Sequence, residues 1–245
     1  MKARAGCGRL ARMRIDLALQ PYADSPSLRE VLMEVLGDQR YTSLRMVTAW
    51  VRASALPGLD ERMRAFRARG GRIELTSGLS QGAATRAGLA KSLALVDESW
   101  VVFDADGRTF HPKVHLARGE GVALLFIGSQ NLTAGGLSSN AEAGVVLRLE
   151  QPDDPWHLAD EVDAYLDRLH ADSGIARRLD EALLDRLEHD PIVALADRSG
   201  GAVEAHPLFD AVAGDVRPLP KGAVPPASRL PRRPWWQRLL RRDER

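Results

Sequence analysis

A single cysteine, Cys7, excludes an intrachain disulfide and any metal site built from several cysteines. The 245-residue chain has no run of eighteen apolar residues, so no segment reads as a membrane span. Its basic start, M-K-A-R-A-G-C-G-R-L-A-R-M-R, lacks the apolar core of a secretory signal. The six histidines are scattered, with no H-E-x-x-H or comparable spacing, so the pattern implies neither a bound metal nor another cofactor. A metal-independent cytoplasmic protein is the simplest reading of these absences.

A strong net charge is missing too, but its distribution is uneven. The total is +1. Residues 1–14 carry five Lys/Arg and no acid, and residues 216–245 carry nine against two. The stretch between them, 15–215, therefore holds 20 basic and 31 acidic residues of the chain's 34 and 33, a net charge of −11. Most of that excess lies between Glu150 and Asp190. Such a body attracts polyanions weakly through counterion release, so a nucleic-acid substrate would need tails, dimerisation or a partner to recruit it.

What is present is an alternation of strand and helix patterns. Residues 14–19 read as a strand, 28–36 as an amphipathic helix after D-S-P-S, and 44–51 as a second strand. A helix over 59–69 stops at Gly70-Gly71, a strand follows at 72–76, a helix at 83–95 and a strand at 100–103. The apolar run 122–127 and the segment 143–149 read as further strands. Beyond them 155–169 has helical spacing, and a second helix is expected over 175–187. Asp160, Glu161 and Asp163 look like paired carboxylates for a metal, but a solvated helix face explains them better.

The stretch 110–142, F-H-P-K-V-H-L-A-R-G-E-G-V-A-L-L-F-I-G-S-Q-N-L-T-A-G-G-L-S-S-N-A-E, carries the chemistry. His111 and Lys113 are two apart, and Ser129 and Asn131 repeat that spacing after the apolar run. In strands, each pair projects from one face. Arg118-Gly119-Glu120-Gly121 reads as the hairpin connection that folds the pairs together. An imidazole, an ammonium, a hydroxyl and an amide in one pocket suit a phosphodiester, whose anionic oxygens need neutralising and whose phosphorus needs a nucleophile. His115 shares the parity of His111 and reads as a structural or rim residue.

This stretch resembles the H-x-K…G-S-x-N signature of the phospholipase D superfamily, and F-H-P-K-V…G-S-Q-N-L-T-A-G-G-L…N-A-E is closest to its nuclease domains of the restriction-endonuclease and helicase-associated type. The resemblance covers roughly residues 17–149. It implies His111 as nucleophile, Lys113, Ser129 and Asn131 as transition-state donors, and Glu142 as the carboxylate that hydrogen-bonds the histidine. Arg118 stands where many members have aspartate, a departure that argues against the lipid-hydrolysing subgroup. Weaker echoes are the apolar segment V-T-A-W-V ending at Trp50 and Val51, and T-R-A-G-L at 85–89. For Trp50 a place in the core is at least as good a reading, and Thr85 can simply cap a helix.

The expected fold class is therefore α/β: a phospholipase D-like mixed, mostly parallel β-sheet with helices on both faces and a C-terminal helical segment. The expected organisation is a flexible, dispensable basic leader (1–13), a catalytic domain (14–150), an acidic helical extension (151–199) and a Pro/Gly-rich basic tail (200–245). The tail's W-W-Q-R-L-L-R-R segment suits a partner, nucleic acid or an anionic membrane equally. Only one H-x-K occurs, and the resemblance then implies a homodimer through the active-site face that pairs two copies of His111. Three function classes stay open: a metal-independent nuclease of a DNA defence or processing system, acting on DNA ahead of RNA with an ATPase, helicase or recognition partner; a phospholipid phosphodiesterase or transferase; and a binding subunit of a larger assembly.

Overall fold

The computed structural model describes residues 13–21, 24–80, 84–104, 108–189 and 195. The leader before Met13 and the tail from 196 onward, including the tryptophan pair, lie outside the described residues.

The first half of the chain builds the alternating part. Strand β1 (Arg14–Gln20) is followed by α1 (Leu28–Gly37), whose start is set by a capping box. The Ser27 backbone N–H donates to the Glu30 carboxylate at 2.7 Å, and the Glu30 N–H donates to Ser27 Oγ at 3.3 Å. Leu28, Val31, Leu32, Val35 and Leu36 recur at helical spacing and are all buried. Then come β2 (Tyr41–Thr48), α2 (Asp60–Ala68), β3 (Arg72–Gly78), α3 (Arg86–Leu95) and β4 (Glu98–Val102). In α3, Thr85 Oγ accepts the Gly88 N–H at 3.0 Å, and a Cβ on Gly88 would sit 2.5 Å from the Val51 carbonyl oxygen. The T-R-A-G-L segment is thus a helix cap joined to a close approach that only glycine allows.

The second half is a meander, β5 (Val114–Gly119), β6 (Val122–Gly128) and β7 (Glu142–Glu150), followed by α4 (His157–Ala171), β8 (Ala176–Arg178) and α5 (Glu181–His189). All eight strands form one sheet in the order β1-β7-β6-β5-β2-β3-β4-β8.

The sheet is mixed, as the sequence implies, but it is not mostly parallel. Among the strands of the described residues only β2/β3 and β3/β4 pair parallel, while the other five pairings are antiparallel. Parallel neighbours need a helical crossover, which α2 and α3 supply. From β5 onward the connections between paired neighbours include a two-residue turn, which forces antiparallel pairing. Two boundaries also differ from expectation. β2 spans Tyr41–Thr48 rather than 44–51, because Thr48 Oγ donates to the Trp50 carbonyl oxygen at 2.9 Å and accepts the Leu132 N–H at 3.1 Å, turning the chain out of the sheet. The helix expected over 175–187 starts only at Glu181, where Asp180 caps it by accepting the Leu183 N–H at 2.7 Å. Residues Ala176–Arg178 instead pair with β4, so the stretch 151–199 contributes to the same sheet.

Helices cover both faces. The core between the sheet and α1, α2, α3 and α5 holds Leu32, Leu44, Phe66, Ile73, Leu75, Phe126 and Leu184. On the other face α4 lays Ala159 and Leu166 against Leu116, Leu125, Val47 and Val102. That interface contains a charged belt. Arg45 on β2 pairs with Glu74, Asp163 and Asp167, each at 2.9 Å. Arg118 on β5 pairs with Asp160 at 2.7 Å and Asp163 at 2.6 Å, its guanidinium lying 5.2 Å from the Trp156 ring centroid. Asp160 and Asp163 are therefore anchors from helix to sheet and not a merely solvated face. Arg118, which replaces an acid of the common signature, is the cation that receives them.

Candidate active site

The sequence's site residues converge where the carboxyl end of β2 meets the start of β5, the end of β6 and the start of β7. Val47 pairs with Val114, so Lys113 and His111 precede β5 at the end of β2. They do not lie within a strand, contrary to the expectation of a regular alternating pair. The Gly128 N–H donates to the Lys113 carbonyl oxygen at 3.2 Å, and the Ser129 N–H to the Ala143 carbonyl oxygen at 2.9 Å. Backbone pairing alone thus brings residues 113, 129 and 142 side by side.

The Lys113 ammonium is buried (4 % exposed) and sits against the imidazole. Its Nζ lies 2.8 Å from His111 Nδ1 and 2.9 Å from Nε2, and it donates to the His111 carbonyl oxygen at 3.0 Å. Partial burial, then the Lys113 charge, hold the His111 pKa below its ordinary value. Burial lowers the Lys113 pKa as well, opposed by the Glu142 carboxylate. The imidazole is exposed and neutral at pH 7, a form that can attack phosphorus, and the adjacent cation is placed to offset phosphate charge.

Glu142 departs from its expected partner. Ser129 Oγ donates to its Oε2, and the Asn140 amide donates to its Oε1 at 3.3 Å. Among the described residues its carboxylate is held by Ser129 and Asn140, not by His111. The physical reason is position: Glu142 is the first residue of β7, and Ser129, just past the end of β6, pairs through its N–H with the neighbouring residue Ala143. Asn131 is buried, and its Oδ1 accepts the Trp50 backbone N–H at 3.2 Å and lies 3.4 Å from the Thr48 hydroxyl. Its amide nitrogen remains the group available to a ligand. The A-G-G-L segment closes back onto it, since a Cβ on Gly136 would lie 2.4 Å from the Asn131 carbonyl oxygen.

Two residues matter more than the sequence suggested. Thr48 ties Trp50, Asn131 and Leu132 into one cluster. The signal for it was a hydroxyl ending an apolar strand. Trp50 is not a core residue: it is half-buried, its ring centroid 6.1 Å from that of His111 with an interplanar angle of 78°.

His115 has a structural role. It is fully buried, 5.7 Å from the Phe126 ring, and neither ring nitrogen has a hydrogen-bond partner among the described residues. Burial drives its pKa down to about 3. The unfolded chain takes up a proton near pH 6.5 that the folded chain refuses until about pH 3. Stability present in full above pH 6.5 is therefore lost as pH falls through that window, at about 1.4 kcal/mol per unit. His170, stacked 4.3 Å from Trp100 and 2.9 Å from Thr76 Oγ, is depressed to about 4 by burial and then by Arg45, and adds a second such contribution. The melting temperature of His115→Leu, measured from pH 7.5 to pH 5, should fall less steeply than that of the wild type. Parallel curves would show that His115 takes up its proton equally in the folded and unfolded chain, so that burial does not depress its pKa.

Neither a protein-family model nor a curated protein sequence matches the chain. Solved structures do match. Nuc from Salmonella typhimurium, a phospholipase D family member, is 20 % identical over 69 % of this chain and 99 % of its own, with a TM-score of 0.48. NucT from Helicobacter pylori is 12 % identical over 64 % and 95 %, also at 0.48. Phosphatidylserine synthase from Haemophilus influenzae is 14 % identical over 83 % of this chain, with a TM-score of 0.53. The chain spans 46 % of that protein's length. At these identities the likeness concerns the fold.

Proposed function

We propose that this chain, which has the phospholipase D superfamily fold, is a metal-independent phosphodiesterase, and specifically a nuclease that works through a phosphohistidine at His111. The observation that carries the reading is the buried Lys113 ammonium set against a neutral, exposed His111 ring at 2.8 Å. Together they offer a nucleophile and a fixed positive charge at one point, as displacement at an anionic phosphorus requires.

The steps balance with a second proton-transfer group. A ring nitrogen of His111 donates its lone pair to phosphorus, and the P–O bond to the leaving nucleoside breaks. A general acid gives that oxygen a proton. Water then loses a proton to the same group and attacks phosphorus, and the P–N bond breaks to restore His111. Lys113 and the Asn131 amide stabilise the oxygens that gain charge, while Ser129 and Glu142 hold the other wall.

The acid is assigned to His111 of a second copy, because the chain has one H-x-K. The apolar surface next to the site supports this assignment. Ile15, Leu17 and Leu19 on the edge strand are 53 %, 58 % and 41 % exposed, and Ile127 is 46 % exposed. Leu17 pairs with Val145 and Val145 with Ile127, so these side chains share one face, and Leu19 lies opposite Ala143 beside Glu142. A two-fold contact there would cover a patch that single-copy proteins rarely expose and would bring two sites together.

The net negative body between residues 15 and 215 supports a setting in which a recognition protein, ATPase or helicase delivers DNA to a cytoplasmic dimer. Among the described residues no helix is long and apolar enough to cross a membrane. The test is turnover of methyl p-nitrophenyl phosphate, DNA, RNA and phosphatidylcholine vesicles, all in chelator. Hydrolysis of the small diester and of nucleic acid is expected. Activity that appears only when zinc or magnesium is restored would overturn the metal-independent mechanism, and turnover confined to vesicles would overturn the nuclease.

A further inference from the structure

Trp50 and Arg52 flank the site in a way that phosphate chemistry alone does not use. Val51 bridges to Leu132, and the Arg52 N–H donates to the Leu132 carbonyl oxygen at 2.9 Å. Arg52 is extended (φ −130°, ψ 144°) and Val51 is fully buried. Alternation then turns the Trp50 and Arg52 side chains to the opposite, solvent side of the segment, where Trp50 is half-buried and Arg52 exposed. Arg52 has no ion pair among the described residues, although most other arginines of the described body are matched with an acid or a carbonyl. The Trp50 main chain is anchored, because its backbone N–H is shared by Asn131 and Thr48, and the indole sits edge-on to the His111 ring.

The geometry points to a nucleotide subsite in which Trp50 stacks on an unpaired base beside the scissile phosphate and Arg52 takes a neighbouring phosphate, so that the substrate is a single-stranded nucleic acid. The inference rests on the phosphodiesterase reading and narrows its substrate. A ring centroid 6.1 Å from the imidazole is within one nucleotide of the reacting phosphorus. A paired base hides its faces in the duplex stack, whereas a single strand offers them to an aromatic platform. The charge distribution favours such a platform. A body with a net charge of −11 gains little from counterion release, so at the site itself contacts that are not purely electrostatic carry more of the affinity. Stacking of one base on an aromatic ring tightens binding by about fivefold to 150-fold.

The experiment measures binding of a labelled single-stranded oligodeoxynucleotide, and of its duplex, by anisotropy at several salt concentrations. All proteins carry His111→Asn, which removes the nucleophile and keeps the oligonucleotide intact. Trp50→Ala should raise the single-strand Kd by about tenfold or more with the salt slope unchanged, and Trp50→Phe should restore most of the affinity. Arg52→Ala should lower the salt slope by about 0.7, the value for one phosphate contact on a single strand. Duplex binding should be weaker and indifferent to Trp50. An unchanged Kd in Trp50→Ala, an equal loss for duplex and single strand, or Trp50-dependent binding to phosphatidylglycerol vesicles in place of DNA would overturn the subsite. Circular dichroism of each variant confirms the fold. Wild-type hydrolysis of methyl p-nitrophenyl phosphate reports separately on the phosphodiesterase reading, whose failure would show there and not in the Trp50 series.

Discussion

Alanine in place of His111 should abolish hydrolysis of every phosphodiester substrate, and Lys113→Ala should lower kcat by roughly two orders of magnitude or more. The two losses differ in kind. In the proposed mechanism His111 forms the bond to phosphorus, so its removal leaves no covalent route. The role proposed for Lys113 is to stabilise charge that develops in the transition state, and such a donor contributes about 2.7–4 kcal/mol. His111→Ala should melt with the wild type, because the ring is exposed and its contact is with Lys113. Asn131→Ala is a less clean probe than the sequence suggested. The buried Asn131 Oδ1 shares the Trp50 N–H with Thr48 Oγ, so its loss loosens the Trp50 anchor as well as removing a ligand donor. The pH profile gives an independent check on the nucleophile. Because burial and Lys113 hold the His111 pKa below 6.5, the acid limb of kcat/KM should fall below that value, where the ring takes up its proton. Steady-state kinetics from pH 4 to pH 8 measure it, and a limb above 6.5 would mean that the ring is not held neutral.

Leu17→Asp should turn the proposed active dimer into an inactive monomer, the second large effect. Leu17 is the most exposed residue of the apolar stripe on β1, and a carboxylate at the centre of a two-fold contact meets its own copy. Sedimentation velocity and activity, followed over the same concentration range, should change together. The shared site makes a further demand. When His111→Ala subunits are exchanged into wild type, mixed dimers hold one histidine that cannot serve as both nucleophile and acid, so activity should fall faster than the wild-type fraction. A linear fall, or full activity in the Leu17→Asp monomer, would show that each copy works alone.

The site was legible where chain spacing encodes strand ends. H-P-K, G-S-Q-N and N-A-E each mark the beginning or end of a strand in the β5–β6–β7 meander, and neighbouring strands in a meander place their ends together. The parallel half was legible for a similar reason, because helix and strand periods alternate between residues 41 and 102. Partners set by distant pairing were not legible. Trp50 acquires its place beside His111 through the bridge of Val51 to Leu132, far along the chain. Glu142 faces Ser129 because of the register at the end of β6, which no motif spacing states. β8 shows a third limit: three residues joined to β4 carry too little pattern to outweigh the helical spacing of the α5 sequence that follows.

The central claim is a covalent bond between phosphorus and His111, and intact-protein mass spectrometry after an alkaline quench tests it most directly, since phosphohistidine survives base. Incubation with a phosphodiester in chelator should give a protein heavier by one phosphoryl ester group, with the adduct mapping to the peptide that contains His111 and absent from His111→Ala. Rapid turnover with no adduct under any quench, or an adduct that persists in His111→Ala, would contradict the account.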